Sequence, residues 1–266
     1  MNTQQGWTIK LFADTADLAS MLRLAADPSI QGFTTNPTLM RRAGVRDYEF
    51  FAREAVAHMP DRPISFEVFS DEFEEMERQA IRISGWGPCV YVKVPITNTR
   101  GVSSLAVLRS LAAHGVKVNV TAMMTLKQVE AAAEAVKDAP GAFLSIFAGR
   151  IADTGRDPVP IMATALDILR GYPNIELIWA SPRELLNIVQ ANAIGCHIIT
   201  VTPDLLAKLP LLGKDLDEYS LETVRMFDTD ARHAGFRLEP EIWSLETDEL
   251  VYAGGTNGGR RGSYSG

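Results

Sequence analysis

The chain reads as an α/β protein, a single-domain (β/α)8 or TIM barrel, on two observations. Short apolar, β-branched runs alternate with amphipathic stretches eight times along the 266 residues, the pattern of an all-parallel sheet covered by helices. Residues capable of chemistry stand at the C-terminal ends of those runs, where a barrel collects its catalytic groups. An open doubly wound sheet is the alternative, because short strands are easily miscounted; eight repeats over this length fit the barrel better.

Strands are expected at 8–12, 32–34, 63–67, 89–94, 117–119, 142–146, 175–180 and 197–201. Helices are expected between and after them, at 17–26, 47–58, 71–84, 102–114, 126–138, 158–170, 182–192 and 219–234. Asp71, ahead of Glu72, Glu74 and Glu75, places negative charge at a helix start. The fourth strand is the most informative. Gly87-Pro88 precedes it, and period two puts Val90, Val92 and Val94 on one face and Tyr91 and Lys93 on the other. An amine among apolar neighbours is a candidate covalent catalyst, since desolvation disfavours the ammonium; a lysine snorkelling to solvent is the ordinary alternative. Gly115 and Gly171 read as helix stops before the fifth and seventh strands. Ser181-Pro182 reads as a cap with proline in the first turn. Residues 1–235 are expected to form the catalytic barrel, and 236–266 a C-terminal extension ending in a flexible glycine-rich tail at 254–262.

Composition narrows the function. A net charge of −7 without a basic block argues against a nucleic-acid surface. No run of eighteen apolar residues suggests a membrane span, and the first ten residues lack an apolar signal core, so a cytoplasmic location is expected. Cys89 and Cys196 read as small buried hydrophobes rather than a disulfide. His58, His114, His197 and His233 are scattered without zinc spacing, and no phosphate-binding P-loop or dinucleotide fingerprint appears. Neither metal nor organic cofactor is expected.

At the strand ends stand Asp14 after the first strand, Thr35 and Asn36 after the second, Glu67 closing the third and Lys93 late in the fourth. Asn119 and Thr121 end the fifth, Ser145, Phe147 and Arg150 the sixth, and Ser181 and Arg183 follow the seventh. Each alone has an ordinary explanation as a cap, a turn or a surface charge. Together they put one lysine, two carboxylates, two amides and two arginines at one rim.

The segments carrying these residues resemble the transaldolase family. Thr34-Thr35-Asn36-Pro37, Lys93-Val94-Pro95, Asn119-Val120-Thr121 and Gly149-Arg150 follow in the family's order. The length is similar to the short members, which include the fructose-6-phosphate aldolases. The resemblance implies a (β/α)8 barrel with Lys93 as Schiff-base lysine and Asp14 as the base for the C4 hydroxyl. It implies that Glu67 and Thr121 hold a proton-shuttling water. Asn36, Asn119 and Ser145 would bind the dihydroxyacetone hydroxyls, with Thr35 and Phe147 also in the substrate site. Arg150, Ser181 and Arg183 would bind phosphate. Glu67 and Phe147 match the transaldolases, whereas the aldolases carry glutamine and tyrosine at those positions. Transfer of a dihydroxyacetone unit between sugar phosphates is therefore expected, with an aldolase-type lyase as the alternative. The resemblance also implies a pentose-phosphate-type role and a homo-oligomer, possible ring forms being a pentamer or decamer. One departure is Ser181-Pro182-Arg183, where many members place an aromatic or other residue between the serine and the basic residue.

Overall fold

The computed structural model describes residues 6–238. They fall into two compact units, the first ending at Lys214 and the second beginning at Asp215. The first unit is a closed, all-parallel barrel in the order β1 to β8. Its strands are β1 (Lys10–Asp14), β2 (Ile30–Thr34), β3 (Ile64–Glu67), β4 (Val90–Pro95), β5 (Val118–Met123), β6 (Ala142–Ile146), β7 (Ile175–Trp179) and β8 (Ile198–Val201). The helices are α1 (Leu18–Ala25), α2 (Pro37–Arg42), α3 (Tyr48–His58), α4 (Phe73–Ser84), α5 (Leu105–Ala113), α6 (Leu126–Val136), α7 (Ala148–Ala152), α8 (Val159–Leu169), α9 (Leu186–Ala193) and α10 (Pro203–Leu206). A short 3-10 turn, Leu209–Leu211, follows. In the second unit α11 (Leu216–Ala234) starts at an Asp215 cap and stops at Gly235, whose φ of 68° is the left-handed conformation glycine adopts freely. The segment 254–262, expected as a tail, lies outside the described residues.

Period two along the strands sorts the barrel into two cores. Val90, Val92 and Val94 pack outward with the helices. Phe12, Phe143, Ile178 and Ile198 form a separate cluster, joined by Tyr91 and Phe147. Tyr91 stacks on Phe143 with ring centres 3.8 Å apart, and Phe12 meets Phe143 edge-on. This aromatic layer is the floor on which the polar layer stands. Gly32 makes room for it, because a Cβ there would lie 2.5 Å from the Phe12 ring.

Three short helices, α2, α7 and α10, and the starts of α4 and α9 depart from the expectations. Asn36-Pro37 opens α2 rather than a plain turn, with the Asn36 side chain accepting from the Leu39 amide. Helix α7 follows β6 directly. Ser181 is not a helix cap: α9 begins only at Leu186, and Ser181 has φ 61°. Likewise α4 is entered from Glu72, while the Asp71 carboxylate accepts from the Thr99 amide and hydroxyl, tying two loops together. Both cysteines are free, and burial pushes the Cys196 thiol up to about 12.

Candidate active site

The closed register puts Glu67, Lys93 and Asn119 side by side on β3, β4 and β5. Lys93 is 6% exposed. Its Nζ donates to the Thr35 carbonyl at 2.9 Å and lies 3.2 Å from Glu67 Oε2. The amine is thus held by one carbonyl and one carboxylate in a water-poor setting, aimed into a cavity of about 600 Å3. The Tyr48 hydroxyl donates to the Glu67 backbone carbonyl at 2.7 Å and fixes the end of β3.

Asp14 ends β1 and faces Thr34 of β2. The Thr34 hydroxyl donates to Asp14 Oδ1 at 2.8 Å and lies 2.5 Å from the Thr200 hydroxyl of β8. Thr34 has one proton, so when it serves the carboxylate, Thr200 must donate to Thr34. Burial raises the Asp14 carboxyl above the usual carboxylate range. The Lys93 charge and the Thr34 hydrogen bond oppose that rise, and the Glu67 charge adds to it.

A second polar chain crosses the floor. Ser145 donates to Asn119 Oδ1 at 2.7 Å, and Asn119 Nδ2 donates to the Ser65 hydroxyl at 3.0 Å. Thr121, aligned with Pro95 across β4 and β5, lines the cavity with a buried hydroxyl that has no hydrogen-bond partner among the described residues. An orphaned buried hydroxyl is costly unless a ligand or water completes it. The next residue, Ala122, has φ 62°, and the β5–β6 register shifts there, between Val120 and Met123. With Ser181, it is one of two non-glycine residues in the left-handed region among the described residues. Both line the cavity, and such strain persists only where the surroundings enforce it.

Phe147 sits at the start of α7, packed on the aromatic floor. The Arg150 guanidinium lies 5.2 Å from its ring centre. Gly149 lets α7 approach the chain after β7, since a Cβ there would lie 1.6 Å from the Ser181 carbonyl oxygen. That contact brings Arg150, Ser181 and Arg183 to one side of the cavity. Arg183 is already engaged: its Nε donates to Asp153 Oδ1 at 2.9 Å, and a second nitrogen pairs with Asp153 Oδ2.

Ten of the twelve residues expected from the sequence line this one cavity. Thr35 and Asn119 do not. The Thr35 hydroxyl turns to the Ser65 carbonyl, and its own carbonyl holds Lys93. Asn119 is fully buried and acts as a link between Ser65 and Ser145. Sequence reasoning missed Thr34, Thr200 and Arg42, which also line the cavity. Extending the strand-end reading to β8, where Ile198, Thr200 and Thr202 share a face, finds Thr200. Arg42 becomes visible only once α2 is recognised as a helix.

Residues 11–250 match the family model described as Transaldolase/Fructose-6-phosphate aldolase. A protein named "Probable transaldolase" from Rhodospirillum centenum (strain ATCC 51521 / SW) is 33% identical over 79% of this chain and 89% of its own length. A "Probable transaldolase" from Streptococcus agalactiae serotype V (strain ATCC BAA-611 / 2603 V/R) is 34% identical, over 79% of this chain and 95% of its own. Among solved structures, a mandelate oxidase mutant superposes with a TM-score of 0.50 at 16% identity, covering 73% of this chain and 65% of its own, a likeness of fold alone. By the family match and these relatives, the chain belongs to the transaldolase/fructose-6-phosphate aldolase family.

Proposed function

We propose that the chain is a transaldolase that moves a dihydroxyacetone unit from a ketose phosphate to an aldose phosphate through an imine on Lys93. The observation that carries this reading is the buried Lys93 amine, 3.2 Å from Glu67, in one cavity with Asp14. The unprotonated amine attacks the C2 carbonyl. Loss of water leaves an iminium, an electron sink that the ketone lacks. Asp14 takes the C4 hydroxyl proton as the C3–C4 bond breaks. The bonding pair moves into the iminium, giving an enamine, and an aldose phosphate leaves.

Transfer rather than release then depends on keeping protons from the enamine carbon. Phe147 supports this, because its ring offers no proton donor where a tyrosine would place a phenol. Glu67 and the orphaned Thr121 hydroxyl face the same cavity as Lys93 and are suited to hold the water that leaves and returns during imine formation. Asn36, whose Oδ1 caps α2, keeps its Nδ2 for a substrate hydroxyl, and Ser145 and Asn119 supply the polar floor. Arg150, Ser181 and Arg183 hold the phosphate by charge-assisted hydrogen bonds. The same reading places the enzyme in the cytoplasm, in sugar-phosphate interconversion of the pentose-phosphate type, as a homo-oligomer.

The test is incubation with fructose 6-phosphate, with and without erythrose 4-phosphate. Product is expected only with the acceptor. Release of free dihydroxyacetone without it would make the chain a lyase, and no turnover in either arm would contradict both readings.

A further inference from the structure

The mouth of the barrel holds three arginines, and they are not equivalent. Arg183 is occupied by Asp153. Arg150 lies over Phe147 and has no ion-pair partner among the described residues. Arg42, the last residue of α2, also lines the cavity, is exposed, and has neither ion pair nor hydrogen bond among the described residues.

The helices that carry Arg42 and Arg150 follow strands on opposite sides of the ring. Helix α2 follows β2 and α7 follows β6, and these strands are four apart in a closed ring of eight. Eight strands about 4.8 Å apart and tilted about 36° close a ring roughly 15 Å across. Lys93, on β4, is two strands from each. A sugar whose single phosphate is held by Arg150 therefore leaves Arg42 facing the remainder of the ligand. A cation on the wall of a polyol site, with no partner of its own, adds nothing for a neutral hydroxyl that a neutral donor would not, but it favours an anion.

We infer that Arg42 forms a second anion subsite, so that the site favours sugars carrying two separated anionic groups: a bisphosphate or a phosphorylated sugar acid. This rests on the cavity being a sugar-phosphate site, as proposed above. The first anion binds at Arg150, Ser181 and Arg183, and the second at Arg42, across the mouth. Carboxylate and phosphate share the required chemistry, since either accepts two parallel hydrogen bonds from a guanidinium.

Binding of three open-chain probes tests this without turnover, because none has a ketone or aldehyde with which Lys93 could form an imine. Glucitol 6-phosphate has one anion, 6-phosphogluconate replaces the terminal alcohol by a carboxylate, and glucitol 1,6-bisphosphate replaces it by a phosphate ester. Calorimetry is run on the wild type and on Arg42→Ala, with thermal melting to establish that the variant is folded. In the wild type at least one doubly anionic probe is expected to bind about tenfold more tightly than glucitol 6-phosphate, the gain of a single charge-assisted hydrogen-bonded contact. Whether the carboxylate, the phosphate ester or both gain identifies the second group. In Arg42→Ala the ratio is expected to collapse toward one. Equal binding of all three probes by the wild type, or an advantage that survives in Arg42→Ala, overturns the proposal. Failure of the transaldolase reading is seen separately, as absence of turnover while the probes still bind.

Discussion

Thr34 is one hydroxyl with two neighbours, and its oxygen, accepting from one and donating to the other, connects β8 to the proposed base on β1. It donates to Asp14 and receives from Thr200. Burial favours the protonated Asp14, while the Lys93 charge and this hydrogen bond favour the carboxylate that the proposed reaction needs. The raised value means that proton acceptance is lost as pH falls through a point above the ordinary carboxylate range. Thr34→Val removes a lowering influence at nearly constant volume. The acid limb of the kcat/KM profile is therefore expected to move to higher pH, with the alkaline limb in place. An unshifted acid limb would mean that Asp14 is not the titrating base. Asp14, Lys93 and Glu67 were legible in the sequence because period two and strand ends expose such residues. The arrangement of the polar residues was not, because Thr35 offers its carbonyl to Lys93 and Thr121 an unsatisfied hydroxyl to the cavity, and side-chain identity alone reveals neither.

At the scale of elements, the strands were legible as short apolar, β-branched runs, buried along their whole length in β6 and β8, and the long barrel helices by the 3.6 period that burial of one face imposes. The helices α2, α7 and α10 were not, since six, five and four residues are too few to show a helical period. Yet α7 sets the proposed phosphate end of the site. Its Gly149 packs against the Ser181 carbonyl, where any Cβ would collide with backbone. Gly149→Ala is expected to cost roughly 1–3 kcal/mol, as overpacking does. It is also expected to raise KM for phosphorylated acceptors by about tenfold, equivalent to one charged hydrogen bond. Thermal melting and acceptor kinetics measure the two effects; unchanged KM in a destabilised variant would show that the contact is only structural. The Ser181-Pro182 reading failed for a related reason. Serine before proline is a sound cap signal, but here the left-handed Ser181 turns the chain and α9 starts later.

At the scale of the whole molecule, closure of the barrel makes residues from six different strands into neighbours. Asp14, Thr34, Glu67, Lys93, Ser145 and Thr200 come from strands spread over nearly the full length of the barrel unit, yet line one cavity. An aromatic floor of Phe12, Tyr91 and Phe143 lies beneath them. The same closure explains why the fold could be read from alternation alone while the site needed the joint pattern of strand ends. The central claim is that this assembly makes Lys93 a covalent catalyst, and the direct measurement is trapping. The protein is incubated with fructose 6-phosphate and borohydride, digested, and mapped by mass spectrometry. A reduced adduct on Lys93 is expected, and its loss in Lys93→Met with the fold intact. An adduct on another lysine, or none at all in a folded wild-type protein, would contradict the account.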